Sequence, residues 1–128
     1  MIPDLVLIDD DPILLIILEK MFRKINPKLT IQSFESGLDG LEFLKNQDSA
    51  HKPIAMVDVN LKDISAWDFL DKLESSPSSV PPIFLITSSV NSKIPEISRE
   101  YKCVAGFYVK PITLETIKKI NHQILEVS

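Results

Sequence analysis

Residues 5–12 read Leu-Val-Leu-Ile-Asp-Asp-Asp-Pro, and this short stretch decides the fold class. Four branched or long apolar residues in a row are typical of a strand that is buried on both faces of a parallel sheet, because a half-exposed strand would alternate apolar and polar side chains. Asp11 and Pro12 then suit the N-cap and the first turn of a helix. The stretch therefore predicts a buried strand that leads through an acidic loop into a helix, which is the repeating unit of α/β proteins.

The same unit recurs along the chain, since each apolar run is followed by a helical pattern. The predicted strands are Leu5 to Ile8, Leu29 to Phe34, Pro53 to Val57, Pro82 to Ile86 and Val104 to Val109. The predicted helices are Pro12 to Ile25, Ser36 to Leu44, Trp67 to Leu73, Ile94 to Tyr101 and Thr113 to Val127. Five such units predict one doubly wound α/β domain over residues 1–128, with a parallel sheet, right-handed crossovers and helices on both faces.

Composition excludes several classes of protein. With 128 residues, of which 45% are hydrophobic, the chain has enough apolar side chains for one core. Its net charge of −4 argues against a nucleic acid as the main partner. A single cysteine, Cys103, excludes a disulfide scaffold and a zinc cage. Without an export signal or an apolar stretch of about 20 residues, we expect a soluble cytoplasmic protein that does not contact a membrane.

Polar side chains stand at the ends of four predicted strands, where a hydrophobic core would not require them. They are Asp9 and Asp10, Asp58, Thr87 and Lys110. Ligands of open α/β sheets bind at the carboxyl ends of the strands, so these residues are expected to lie together. Crowded carboxylates repel one another and need a cation, and oxygen ligands with open water positions favour Mg²⁺.

A carboxylate beside Mg²⁺ and a lysine has the chemistry of a phosphoryl acceptor. Carboxylates attack phosphorus and form aspartyl phosphates. Asp58 is the best candidate, because it lies between the acidic pair and Lys110 along the chain. Lys110 supplies a second positive charge, and the Thr87 hydroxyl can donate a hydrogen bond to a phosphoryl oxygen.

From Asp4 to its end the chain resembles the receiver domain of two-component response regulators, of the single-domain type. Four motifs carry this resemblance, each at the end of a predicted strand: Ile8-Asp9-Asp10, Val57-Asp58, Ile86-Thr87-Ser88 and Val109-Lys110-Pro111. The resemblance implies a flavodoxin-like (βα)5 fold whose five parallel strands have the order 2-1-3-4-5. It also implies a protein that catalyses only its own phosphorylation and dephosphorylation and is not otherwise an enzyme.

The resemblance further implies the role of each site residue. Asp58 would accept a phosphoryl group from a sensor histidine kinase or a histidine phosphotransfer protein. Mg²⁺ would be bound by Asp58, by Asp10 directly, by Asp9 largely through water and by the backbone carbonyl of Asn60. The bond between Lys110 and the following proline is often cis in the family.

The switch that reports phosphorylation is also implied by the resemblance. Thr87 and Phe107 would act as the switch residues, Phe107 because it precedes Lys110 by three positions. The signal would reach a surface formed by the fourth helix, the fifth strand and the fifth helix. A downstream protein would bind there, and a phosphorylation-dependent dimer is a further expectation.

The chain departs from the family pattern in the loop after Asp58. Lys62 stands where the family commonly has proline, and Ala66 stands where it has glycine. The turn before the third helix is therefore in doubt, and the Lys62 side chain adds a positive charge near the site. Asn60 and Ser89 occupy the two positions that tune autodephosphorylation in the family.

The first helix carries more apolar residues than one face can hold. We expect a core stripe of Leu14, Ile17, Leu18, Met21, Phe22 and Ile25. Ile13, Leu15 and Ile16 remain outside that stripe. An exposed apolar cluster on this helix is a hypothesis for the surface that docks the kinase.

Three alternatives belong to other functional classes. A haloacid-dehalogenase-like phosphatase would need a second aspartate where Asn60 stands, and its nucleophile would follow a strand near the N-terminus. A nucleotide-binding module would need a glycine-rich phosphate loop, which the three glycines do not form. A pseudo-receiver that acts only as an interaction scaffold is the most serious alternative, although it usually loses one of the site positions that this chain keeps.

Overall fold

The structure is a computed structural model that describes residues 3–47, 53–76, 80–88 and 93–127. Strands and helices alternate along these residues. The strands are β1 (Leu5–Ile8), β2 (Ile31–Phe34), β3 (Ile54–Asp58), β4 (Ile83–Thr87) and β5 (Val104–Val109). The helices are α1 (Pro12–Ile25), α2 (Gly37–Lys45), α3 (Ala66–Glu74), α4 (Lys93–Ser98) and α5 (Leu114–Val127).

The five strands form one parallel sheet in the order β2-β1-β3-β4-β5, which confirms the predicted fold class and strand order. Every residue of β1, β3 and β4 is buried, as their uninterrupted apolar runs predicted. In the register of the sheet, Val57 pairs with Ile8 on one side and with Leu85 on the other. The carboxyl ends of the central strands therefore lie side by side.

Helices cover both faces of the sheet. Alternate residues of a strand point to opposite faces, so a fully apolar strand has two apolar faces that must be covered. Leu5 and Leu7 belong to a core shared with α1 and α5, whereas Val6 and Ile8 belong to a core shared with α2 and α3. This arrangement is the predicted doubly wound architecture. None of the helices in the described residues has the length and apolar character that crossing a bilayer requires.

The structure corrects the predicted ends of some elements. β2 begins at Ile31 instead of Leu29, which is buried in the turn before the strand. α4 ends at Ser98 instead of Tyr101. Asp58 and Thr87 are the last residues of their strands and do not merely follow them. These shifts leave the order and type of every element as predicted.

The predicted core stripe of α1 is wrong in two positions. Leu15 is only 5% exposed, and it shares the buried face with Leu18 and Phe22. Ile17 is 47% exposed and points away from the core. Isoleucine and leucine occupy nearly every position of the first two turns. Apolar residues therefore recur every 3 to 4 positions on the solvent face as well as on the core face, and the spacing alone does not distinguish the two faces.

Candidate functional site

The predicted site residues meet at the carboxyl edge of the sheet. Asp9 and Asp10 follow β1, Asp58 ends β3, Thr87 ends β4 and Lys110 follows β5. The ladder between the last two strands continues past the sheet, since the Lys110 N–H donates to the Thr87 carbonyl at 2.7 Å. The fold therefore assembles in space the residues that the sequence placed at separate strand ends.

The Lys110 ammonium lies between two buried carboxylates. Its Nζ is 3.0 Å from Oδ2 of Asp9 and 3.4 Å from Oδ2 of Asp58. Asp9 is 1% exposed and Asp58 is 4% exposed, so water contributes little to the stabilisation of either charge. The peptide bond between Lys110 and Pro111 is cis, as the sequence resemblance implied.

Burial and charge shift the pKa values of Asp9 and Lys110 in definite directions. Burial raises the pKa of the Asp9 carboxyl, because hydrogen bonds from the Asp11 N–H and from Lys110 offset only part of the desolvation. The nearby charge of Asp58 raises it further. Burial alone would lower the pKa of Lys110, but the hydrogen bond to Asp9 and the charges of both carboxylates outweigh that effect and raise it. The lysine is thus held in its charged form.

Three carboxylates form a group that suits a divalent cation. Asp9, Asp10 and Asp58 each offer one oxygen, and these oxygens lie within 4.8 Å of one another. Oδ2 of Asp10 is buried and has no hydrogen-bond partner among the described residues. A buried carboxylate oxygen without a partner is costly unless a cation or ordered water satisfies it. The residues present therefore fit Mg²⁺, which prefers a few carboxylates together with water.

Asp11, the third acid of the run, has a different task. Its side chain caps α1 by accepting hydrogen bonds from the N–H groups of Ile13 and Leu14. Its own N–H donates to Oδ1 of Asp9 at 2.9 Å. The acidic run is thus divided between the candidate cation site and the helix cap.

Asn60 connects Asp58 to Thr87 across the top of the sheet. Its backbone N–H donates to Oδ1 of Asp58 at 3.1 Å, and its Nδ2 lies 3.4 Å from Oγ1 of Thr87. Since Oδ2 of Asp58 faces Lys110, both oxygens of this carboxylate are held in place. Thr87 itself is completely buried.

Phe107 is separated from the carboxylates by its position within β5. It pairs with Leu85 of β4, and its half-buried side chain packs against the core shared with α2 and α3.

The other residues singled out near the site lie after the strands. Both Lys62 and Asn60 are exposed. Ser89 lies outside the described residues.

The sequence reasoning missed Asp63, whose carboxylate binds the N-terminus of α2. No local pattern could have identified it, because its hydrogen-bond partners precede it by 25 to 27 residues. An acid in a polar loop is usually a solvated side chain. The tertiary fold alone gives this acid a specific role.

Known structures share this fold along nearly the whole chain. A two-component response regulator from Legionella pneumophila has a TM-score of 0.82 at 22% identity, with 97% of this chain and 98% of that chain covered. A two-component response regulator from Cytophaga hutchinsonii has a TM-score of 0.80 at 22% identity, with 98% and 99% covered. A CheY-like receiver domain protein from Methanospirillum hungatei has a TM-score of 0.78 at 16% identity, with 98% and 96% covered. At such identities the likeness establishes the fold alone.

The sequence itself establishes the family. No curated protein matches the chain, but the family described as the response regulator receiver domain matches residues 5–121. This match contains all the residues that the structure assembles at the carboxyl edge of the sheet. The chain therefore belongs to the response regulator receiver domain family of two-component systems.

Proposed function

We propose that this receiver domain is a phosphoacceptor in which Asp58 takes a phosphoryl group in a Mg²⁺-dependent reaction. The donor would be a phosphohistidine on a sensor histidine kinase or on a histidine phosphotransfer protein. One observation carries the proposal, namely the Lys110 ammonium between the buried carboxylates of Asp9 and Asp58. Beside them, the unpartnered oxygen of Asp10 supports a cation at the same place.

In the proposed reaction, an oxygen of Asp58 attacks phosphorus and forms a P–O bond. The P–N bond of the phosphohistidine breaks, and its electron pair remains on the imidazole nitrogen. Asp9, Asp10, Asp58 and the carbonyl of Asn60 would hold the Mg²⁺, which when bound supplies positive charge to the oxygens of the transferring group. Lys110 orients Asp58 and stabilises the same developing charge. Water would later attack phosphorus, the bond between phosphorus and the Asp58 oxygen would break with its electron pair left on that oxygen, and inorganic phosphate would leave the restored Asp58 carboxylate.

The new phosphoryl group would change the balance of charge at the strand ends. Its oxygens can accept hydrogen bonds from the Thr87 hydroxyl and the Lys110 ammonium, which favours a conformation in which both residues face it. Phe107 would follow Thr87 and alter the surface of α4, β5 and α5. β5 is an edge strand in which no residue is fully buried, which leaves this surface accessible to a downstream protein or to a second copy.

The donor protein would dock on α1 next to the site. Ile13, Ile16 and Ile17 are 67%, 54% and 47% exposed, so they form an apolar patch on the outer side of the helix. Beside them, a groove of about 600 Å³ runs between α1 and the segment after β5, and Lys110 is among its lining residues. A phosphohistidine carried by a partner on this patch would thus be close to Asp58. The cluster expected from the sequence contained Leu15, which is buried, and the exposed Ile17 takes its place beside Ile13 and Ile16.

Incubation with acetyl phosphate and Mg²⁺ tests the proposal by intact mass. We expect one phosphoryl adduct in the wild type, no adduct when Mg²⁺ is chelated, and no adduct in Asp58→Asn. An adduct of equal yield in Asp58→Asn would contradict the assignment of the acceptor. No adduct in a wild-type protein that still binds Mg²⁺ would instead favour a pseudo-receiver scaffold.

A further inference from the structure

The Asp63 carboxylate joins the loop between β3 and α3 to the first turn of α2. Its Oδ1 accepts a hydrogen bond from the Gly37 N–H at 3.1 Å, and its Oδ2 accepts one from the Leu38 N–H at 3.1 Å. Oδ2 also accepts a hydrogen bond from the Ser36 hydroxyl at 2.7 Å. The first two backbone N–H groups of the helix, which have no partner within a helix, are thus satisfied by a residue of another loop.

Ser36 completes this cap, since its Oγ accepts a hydrogen bond from the Asp39 N–H at 3.1 Å. The carboxylate charge lies at the N-terminus of α2, where the helix dipole stabilises it. The pKa of Asp63 is lowered overall. Desolvation alone would raise it, but the hydrogen bonds from Ser36 and from the two backbone N–H groups outweigh that effect. The junction therefore favours the charged form of the side chain.

The loop also approaches α2 more closely than a side chain at Gly37 would allow. A Cβ on Gly37 would lie 2.6 Å from Cγ2 of Ile64 and 2.8 Å from Cδ1 of Leu61. Ile64 is buried and Leu61 is partly buried against the same core. Leu61 and Ile64 thus hold the loop against the core by apolar packing, and the Asp63 carboxylate binds it to the N-terminus of α2.

This loop is continuous with the phosphorylation site. Asn60 immediately precedes the anchored residues, and its N–H binds Oδ1 of Asp58. The sequence offers little local rigidity here, because residues 59–65 contain no proline. The residues present leave φ free where proline would fix it. The hydrogen bonds of Asp63 are therefore the polar constraint on this loop, beside the apolar packing of Leu61 and Ile64.

We propose that Asp63 is a positioning residue for the phosphorylation of Asp58. By binding the N-terminus of α2, it fixes the β3–α3 loop and hence Asn60, whose N–H orients Asp58 and whose carbonyl would ligate Mg²⁺. The inference rests on the proposed function for its Mg²⁺ part. Its structural part, the dependence of Asn60 on Asp63, stands on the hydrogen bonds alone.

Asp63→Asn tests the proposal with a small change of shape. Asparagine keeps the size and one acceptor but loses the charge that binds the helix N-terminus. Asp39→Asn is the matched control, because it also removes one carboxylate charge near the N-terminus of α2, from a residue of the helix itself. The Asp39 carboxylate is exposed and makes no hydrogen bond to another described residue.

The measurement is the rate of phosphorylation by acetyl phosphate as a function of Mg²⁺ concentration, under conditions where all three proteins are folded. In Asp63→Asn we expect the half-saturating Mg²⁺ concentration to rise about tenfold, the scale found when residues that support metal ligands are lost. At saturating Mg²⁺ the rate should return to the wild-type value, because the reacting groups are intact. The amide resonance of Asn60 should also shift in Asp63→Asn without Mg²⁺, and Asp39→Asn should change neither quantity.

Asp63 would be only a helix cap if Asp63→Asn lowered the free energy of unfolding but left the Mg²⁺ dependence and the Asn60 resonance unchanged. Equal effects in Asp39→Asn would also overturn the proposal, since they would reflect charge alone. If the wild type took no phosphoryl group, the proposed function would fail. The Asn60 resonance would still decide the structural part, because a shift in Asp63→Asn supports it and the absence of a shift refutes it.

Discussion

At the residue scale, the site holds three neighbouring carboxylates but only one lysine that is paired with them. Lys110 is paired with Asp9 and Asp58, whereas Oδ2 of Asp10 is buried without a hydrogen-bond partner among the described residues. An unpaired buried oxygen lowers the stability of the folded chain unless something positive binds it. We therefore expect the stability of this protein to depend on Mg²⁺.

The dependence on Mg²⁺ can be measured by thermal unfolding. A ligand that binds only the folded state at about 100 times its Kd raises the free energy of unfolding by about 2.7 kcal/mol. We expect Mg²⁺ to raise the Tm of the wild type, and we expect this increase to disappear in Asp10→Asn. Without Mg²⁺, Asp10→Asn should be at least as stable as the wild type, because it removes one of three crowded carboxylates. An equal Tm increase in both proteins would show that Asp10 does not bind the cation.

At the element scale, α3 is tied to the segment that follows α4. Tyr101 stacks on Trp67 with ring centroids 6.2 Å apart, and its hydroxyl donates to Oδ1 of Asp71 at 2.8 Å. Burial, together with the Asp71 hydrogen bond and charge, raises the pKa of Tyr101 to about 12. This connection fixes the C-terminal end of α4, so any rearrangement of α4 on phosphorylation is expected at its other end.

Tyr101→Phe removes the hydrogen bond to Asp71, together with the longer 3.5 Å contact with the Trp67 carbonyl, and leaves the aromatic ring in place. We expect the free energy of unfolding to fall by about 1 kcal/mol at neutral pH. Because folding raises the pKa of Tyr101, its stabilising contribution is complete below pH 10, the ordinary value, and is lost as the pH rises towards 12. The difference between the two proteins in denaturant unfolding should therefore shrink above pH 10. A constant difference across that range would contradict this assignment.

The sequence predicted the elements well where one physical signal dominated. The apolar runs of β1, β3 and β4 favoured buried strands, and the polar residue at the end of each run marked the edge where the candidate site lies. In α1 the signal was ambiguous, because Leu15 and Ile17 are both apolar and only the packing against the sheet selects the buried one. The contacts of Asp63 and Tyr101 depend on partners distant in the chain, so no local pattern could predict them.

At the scale of the whole molecule, the two faces of the sheet offer a controlled test of donor docking. α1 packs on one face and α2 on the other, and both carry exposed apolar residues. Ile16→Glu combined with Ile17→Glu would place charge in the proposed docking patch. Leu38→Glu is the matched control, since Leu38 is 48% exposed on α2.

We expect the double variant to accept phosphoryl groups from a panel of autophosphorylated histidine kinases roughly tenfold more slowly, because docking residues typically contribute about 1 kcal/mol or more. Phosphorylation by acetyl phosphate should be unchanged, since this small donor needs no docking surface. At saturating Mg²⁺, where a disturbance of the neighbouring Asp63 junction should have no effect on the rate, Leu38→Glu should behave like the wild type with both donors. Equal losses with both donors in the double variant would place the defect in the site itself and would refute the docking role of α1.

Among the three neighbouring carboxylates, we expect Asp58 to carry the phosphoryl group. Borohydride reduces an acyl phosphate to an alcohol, so the phosphorylated aspartate becomes homoserine, which peptide mass spectrometry can locate. After reaction with acetyl phosphate and Mg²⁺, we predict homoserine at position 58 and intact aspartate at positions 9 and 10. Homoserine at position 9 or 10, with Asp58 unchanged, would contradict the assignment of Asp58 as the acceptor.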